Sequence, residues 1–465
     1  MHNTRRLVLF VGRHRRTVFG LVVLPAIILL VYSIDLLSVY GISNTVEQRF
    51  IRFLTPQKSP SGDIRLVYMD EEHNTVLMQR NPELQGSMTD PMKRQLWRRL
   101  HADLLRKLGG AGARVVAFDL TFPEASDDSA NANQLFKVAV GDIASQGKTR
   151  IVIGIRLHES IDKHLQEVFT PEEQGSIDIH GDAADTDPRK SLRRIPIAIF
   201  EGRSVNGRIE EQLVKPLPMP LLVLACAKQT GDRLITFRMD AGRGDLTLYE
   251  NGKPTQRIWT EIAFCTKGAQ NCEVSEGFEW RRTALLPLMT PSIGPPEEPY
   301  ESVLSKHDLP DYKDKIVIVG ARLPEEEVPA AAVPKSKAGD TLYGYHVHAA
   351  ALDDLLHDSY PRKLNFISQV LLFYALAGLS FLGRRLLPGT DVKVNTHFFG
   401  ERLMPLGLLI LIVIYAIGGF VFYNTQRLVL NVLYDVLLLA AAYFAFGPKA
   451  PGRGTQKASA NALQM

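Results

Sequence analysis

Residues 112–124, read GARVVAFDLTFPE, decide the fold. The run 113–118 is short, apolar and rich in Val, and an acid closes it, which is the pattern of a strand buried on both faces. Three other runs share that form: residues 64–69 (IRLVYM), 150–154 (RIVIG) and 315–319 (KIVIV). Between the first strand and the quoted one lies 93–108 (KRQLWRRLHADLLRKL). There Leu96, Trp97, Leu100, Leu104, Leu105 and Leu108 recur at helical spacing, and Gly109-Gly110 ends the run. Residues 130–144 read as the next helix and 347–356 (VHAAALDDLL) as another. Strand, helix, strand implies a right-handed crossover. The expected fold class is α/β, a mainly parallel sheet with helices on both faces.

Outward from this core the chain turns apolar at both ends. Runs 18–34, 367–382, 404–423 and 428–446 each have the composition of a membrane span. The expected division is a cytoplasmic N-terminus (1–17), a span (18–40), an outer domain (41–362), a span (366–384) and a cytoplasmic loop (385–402). Two further spans (403–423 and 428–447) and a cytoplasmic tail (448–465) complete it. Arg5, Arg6, Arg13, Arg15 and Arg16 precede the first run, Arg384, Arg385, Lys393 and Arg402 follow the second, and Lys449, Arg453 and Lys457 follow the last. The positive-inside rule then puts both termini in the cytoplasm and the large domain outside, with four transmembrane α-helices by parity. The first run has no small-x-small cleavage site, so it reads as an anchor and not as a removed leader.

The formal charge of +4 is concentrated at these edges, where topology and anionic lipid explain it. No basic arm or aromatic-rich stripe marks a nucleic-acid surface. Cys265 and Cys272 fall in one loop-like stretch of the outer domain, where an oxidising compartment favours a disulfide. Cys226 reads as a small core residue on a helix. Residues 158–189 read as an irregular surface excursion, 259–282 as a strand-and-loop insertion, and 287–299 as a proline-rich connector.

The ordered motifs resemble the type-2 CHASE domain, a sensory module found outside the membrane in bacterial receptors. The segments carrying the resemblance are 64–71 (IRLVYMDE), Trp97-x-Arg99 with its helix, 112–124, Asp185-Thr186-Asp187-Pro188, Arg193-Arg194-Ile195-Pro196, 315–321 (KIVIVGA) and 344–349 (GYHVHA). Together they span roughly residues 41–360. Relatives often place an Asp and a Thr-Pro pair before the histidine-bearing helix; here that interval reads Arg322-Leu323-Pro324-Glu325-Glu326-Glu327-Val328. Such receptors commonly end in a kinase or cyclase, and the 19 residues after Phe446 hold neither. The resemblance implies a sensor in the bacterial inner membrane, with a periplasmic ligand and a separate membrane or cytoplasmic partner. A homo-oligomer stays open, and no cofactor is expected.

Candidate ligand-binding residues are Asp70, Glu71, Trp97, Arg99, Asp119, Glu124 and His348. The acids close strands, where open α/β sheets place their sites. If the strands ending at Met69 and Phe118 are neighbours, their carboxylates converge. The competing reading makes Asp119 a turn cap, Trp97 a core residue and Arg99 its ion-pair partner. His346-x-His348 lacks a third ligand at fixed spacing, so no metal site is expected. No nucleophile elbow appears, and no catalytic residue is assigned; a metal-assisted hydrolytic use of Asp70, Asp119 and Glu124 is the enzyme alternative. In the last span Asn431 and Asp435 share a helix face. There they meet a partner protein or, within the chain, Tyr374 or Tyr415, with an ion pathway as the remaining reading. An assembly subunit of an envelope complex is the structural alternative to a sensor.

Overall fold

The computed structural model describes residues 15–33, 61–87, 90–122, 130–156, 163–169, 173–177, 194–206, 208–214, 217–229, 235–240, 245–268, 274–287, 296–323, 327–328, 342–360, 362–364, 366–387, 391–396 and 400–446. The chain forms two compact units, one of residues 56–361 and one of the two ends of the chain. The apolar helix α1 (residues 15–33) belongs to the second. It contains a π turn at Phe19–Val23, just before Pro25, whose missing N–H cannot continue the ordinary ladder.

The inner unit is built on a parallel sheet. Its principal strands are β1 (Ile64–Met69), β2 (Val115–Thr121) and β3 (Arg150–Ile155), with short β4 (Gln174–Ser176) beyond them. Antiparallel β5 (Arg194–Val205) and β6 (Arg208–Leu213) follow, then β7 (Leu217–Pro218), β8 (Ile235–Asp240), β9 (Asp245–Glu250), β10 (Lys253–Trp259), β11 (Glu261–Thr266) and β12 (Trp280–Pro287). The edge strand β13 (Glu297–Pro299), the central β14 (Ile316–Ala321) and a two-residue pair, β15 (Glu327–Val328) with β16 (Leu342–Tyr343), complete the unit. The order in the main sheet is β13-β1-β14-β2-β3-β4-β7, all parallel.

Strand alternation assigns each side chain to one of two cores. Leu66, Val115, Ala117, Ile316 and Ile318 face one core, with helices α5 (Met219–Lys228) and α7 (Gly344–Leu356). Val67, Val116, Phe118, Val317 and Val319 face the other, with α2 (Thr75–Arg80), α3 (Arg98–Gly110), α4 (Ala130–Gln146) and α6 (Tyr300–Ser305). Helices thus cover both faces, as the unbroken apolar strands predict. The helix expected at 93–108 is broken: a short turn of helix and a 3-10 turn at Gln95–Trp97 precede α3.

Two expectations need correction, and a third gains detail. The strands β1 and β2 are not neighbours, because β14 pairs with both. The excursion at 158–189 contributes β4 to the main sheet, and the proline-rich connector contributes β13. Both strands are three residues long, too short to show a period. The insertion around the cysteines is a hairpin, β11 with β12, within a four-stranded sheet of order β11-β12-β5-β6.

The terminal unit contains α1, the two-residue strand β17 (Arg362–Lys363), α8 (Phe366–Leu386), the hairpin of β18 (Asp391–Thr396) and β19 (Gly400–Pro405), α9 (Leu406–Gln426), β20 (Leu428–Val429) and α10 (Val432–Ala445). Among the described residues two helices, α8 and α9, are long and apolar enough to cross a membrane, not four. At 21 residues each they reach about 31 Å. The last run is shorter as a helix because Leu428 and Val429 leave it to pair with Arg362 and Lys363.

Candidate functional site

Open α/β sheets hold ligands beyond the carboxyl ends of their strands, where adjacent connections part to opposite faces. That parting occurs between β1 and β14. The chain leaving β1 enters α2 and α3 on one face, and the chain leaving β14 enters α7 on the other. Asp70 ends β1 and Arg322 ends β14.

Arg322 organises this edge. Its guanidinium carbon stands 3.5 Å from the centre of the Tyr68 ring. Nη1 is 3.6 Å from Asp70 Oδ2, Nη2 donates to Glu297 Oε1, and Nε donates to the Tyr345 hydroxyl at 3.4 Å. Glu297, on the edge strand β13, also accepts from the Tyr345 hydroxyl at 3.1 Å and from His346 Nε2 at 3.0 Å. The Tyr343 backbone N–H donates to His346 Nδ1, so the ring is held as the neutral tautomer with its proton on Nε2. Three donors therefore meet one carboxylate, and two of them open α7.

The remaining Asp70 capacity is taken locally. Oδ1 accepts the His73 backbone N–H at 2.7 Å, and Oδ2 lies 2.8 Å from His73 Nδ1. Burial alone would raise the Glu297 carboxyl, but the His346 hydrogen bond, then Arg322 and Tyr345, hold it below the ordinary range. Burial and the Glu297 charge push the Tyr345 hydroxyl up, against Arg322. The arrangement is an ion-pair network closed over an aromatic face.

Asp119 occupies a different position. It lies at the end of β2 within a break in the β2–β3 register between Phe118 and Thr121. Gly154 makes that irregularity possible: a Cβ there would stand 2.6 Å from the Leu120 carbonyl oxygen. Asp119 is 5% exposed and its Oδ2 has no hydrogen-bond partner among the described residues. Burial pushes its carboxyl up to about 7. Since β14 separates the two strands, Asp70 and Asp119 sit two strand spacings apart at this edge, about 10 Å by backbone geometry.

The other candidates scatter. Glu71 accepts from the Gly86 backbone N–H and so ties a surface turn. Trp97 is fully buried, donates to the Ser87 hydroxyl at 2.8 Å and packs edge-on to Tyr300. Arg99 is half exposed and bonds Asn81 and Glu83. His348 is buried in α7. Glu124 and Cys272 lie outside the described residues, so the expected pairing of Cys265 with Cys272 falls there too. Among the described residues no group of His, Cys, Asp and Glu could hold a metal ion.

In the terminal unit Asp435 is fully buried. It accepts from the Tyr415 hydroxyl at 2.6 Å and from Gln369 Nε2 at 2.8 Å, joining α8, α9 and α10. Asn431 stands at the N-cap of α10, and Tyr374 is 43% exposed. The structure thus brings Asp435 to Tyr415 and adds Gln369.

Sequence reasoning missed Tyr68, Glu297, Arg322 and Tyr345 as site residues. The one available signal was Arg322 itself, a cation directly after an apolar strand. No curated protein and no solved structure matches the chain. The CHASE2 domain family matches residues 21–384, which take in the sheet edge just described and most of the chain. The chain belongs to the CHASE2 domain family, a family of extracellular sensory domains.

Proposed function

We propose that this protein is a multi-pass inner-membrane sensor that reads a periplasmic ligand and passes the state to a separate partner. The observation that carries this reading is the hold of Glu297 on Arg322, Tyr345 and His346. A change of occupancy at that edge alters the start of α7. Six residues after α7 ends at Leu356 the chain reaches Arg362, and α8 begins at Phe366. A ligand shifts such an element only by its preference for one of two states.

The four-span topology with both termini in the cytoplasm follows from the basic residues. In it α1 and α10 complete a bundle with α8 and α9. Output then passes through the helices or the loop 385–402.

The test is affinity purification of the tagged full chain from gently solubilised membranes, with mass spectrometry. A co-purifying kinase, cyclase or other regulator is the expected result. A fixed set of envelope components would instead favour an assembly subunit. That second reading is encouraged by the closed hydrogen bonding of Asp70 and Glu297. Recovery of the chain alone across several detergents would count against both.

A further inference from the structure

Taken apart, the groups around Arg322 have a recognisable chemistry. Tyr68 offers an aromatic face, Asp70 and Glu297 offer carboxylates on two different strands, and Tyr345 offers a hydroxyl oxygen. An aromatic face with flanking carboxylates suits a planar, delocalised cation better than a compact ammonium. The cation in place is the chain's own guanidinium.

We propose that the edge formed by β1, β13 and β14 is a receptacle for a planar cation, filled here by Arg322 and open to an external guanidinium ligand that displaces it. This deepens the sensor reading above and rests on it for its consequence, though not for its chemistry.

Charge selects a cation over an anion. An anionic ligand could draw Arg322 away, but it would take from Asp70 and Glu297 the one cation they share and leave them only hydrogen bonds, such as those to His73, Tyr345 and His346. The two acidic side chains are 10% and 29% exposed, so that loss is costly. A guanidinium ligand replaces the departing charge, and its planar fork can meet a carboxylate in the same bidentate manner. Attachment is shared: Tyr68 and Glu297 belong to strands, and Asp70 and Arg322 each directly follow one, with the Arg322 N–H bonded to the Met69 carbonyl at 3.0 Å. Exchange of the Arg322 side chain would leave Glu297 holding the ligand, Tyr345 and His346 while releasing the guanidinium from the edge.

The probe is agmatine, a guanidinium joined by four methylenes to an ammonium, with 1,4-diaminobutane as the control of equal charge, added to the purified full chain in detergent. Arg322→Ala should lower the unfolding midpoint followed by tryptophan fluorescence. Agmatine should raise it again in a saturable way, and 1,4-diaminobutane at equal concentration should not. Adding Glu297→Gln to Arg322→Ala should abolish the rescue. Wild type should bind agmatine at least about tenfold more weakly than Arg322→Ala, because the tethered side chain competes at high effective concentration. An Arg322→Ala chain indifferent to agmatine, or one rescued equally with Glu297→Gln present, overturns the proposal. Should Arg322→Ala fail to fold, calorimetric titration of wild type decides. Saturable agmatine binding lost in Glu297→Gln supports the receptacle, and its absence from wild type overturns it. Every arm reads binding alone, so the result is independent of whether a signalling partner co-purifies.

Discussion

Gly320 and Tyr345 meet where β14 gives way to α7: a Cβ on Gly320 would stand 2.4 Å from the Tyr345 ring carbons Cδ1 and Cγ. The glycine is therefore required by the side chain packed against it. Gly320→Ala should destabilise the inner unit by about 1–3 kcal/mol, the usual cost of overpacking a filled core. Thermal unfolding of the variant measures it, and an unchanged midpoint would refute the contact.

Glu297→Gln removes the charge that gathers three donors. Loss of about 1–3 kcal/mol is expected, as for a partly buried group deprived of a charged partner. Because the Glu297 carboxyl is held below its ordinary range, its contribution is present above the unfolded value and fades as pH falls through the folded one. The deficit of Glu297→Gln relative to wild type should therefore narrow in acid. A double-mutant cycle with Tyr345→Phe should show coupling of at least about 0.5 kcal/mol.

Asp119 predicts the opposite pH trend. Its carboxyl sits at about 7 in the folded chain, well above an unfolded aspartate. The native state then holds a proton that the unfolded state has lost, so stability falls as pH rises from about 4 to about 7 and levels beyond. Asp119→Asn, which cannot ionise, should lose this dependence. Its advantage over wild type should grow to a few kcal/mol, in order of magnitude, by pH 8. Denaturant midpoints at pH 5 and pH 8 give the comparison, and parallel shifts in the two proteins would refute it.

Tyr415→Phe takes one donor from Asp435, and Gln369→Leu takes the other. Hydrogen bonds between membrane helices average about 0.6 kcal/mol and reach about 1.7. Each variant should fall in that range in unfolding titrations of the solubilised chain, and a value near zero for both would mean that Asp435 finds other donors.

Strands that are buried on both faces announce themselves by composition, so β1, β2, β3 and β14 were legible from residues alone. The order of those strands was not. Nothing local in 315–319 says that it inserts between two strands placed far earlier, because parallel pairing is set by long-range packing. The same limit hid the site. Asp70 was visible as an acid closing a strand, but Arg322 and Glu297 meet it only through that insertion and through an edge strand of three residues. Trp97 was conspicuous for its size and proved to be core. In the terminal unit Asp435 stood out because a carboxylate in an apolar run demands partners, and Tyr415 was a reachable one.

The pairing of β17 with β20 bears on mechanics. The Arg362 N–H donates to the Arg427 carbonyl at 2.8 Å, and Arg362 and Lys363 lie in register with Leu428 and Val429. The segment leaving the inner unit is thereby stitched to the bend joining α9 and α10 before it enters α8. A pull along it cannot be absorbed as slack. It must either tear a two-residue ladder or drag that bend along, so one tug at a single point loads three helices together, as a shared yoke does and a free tether does not.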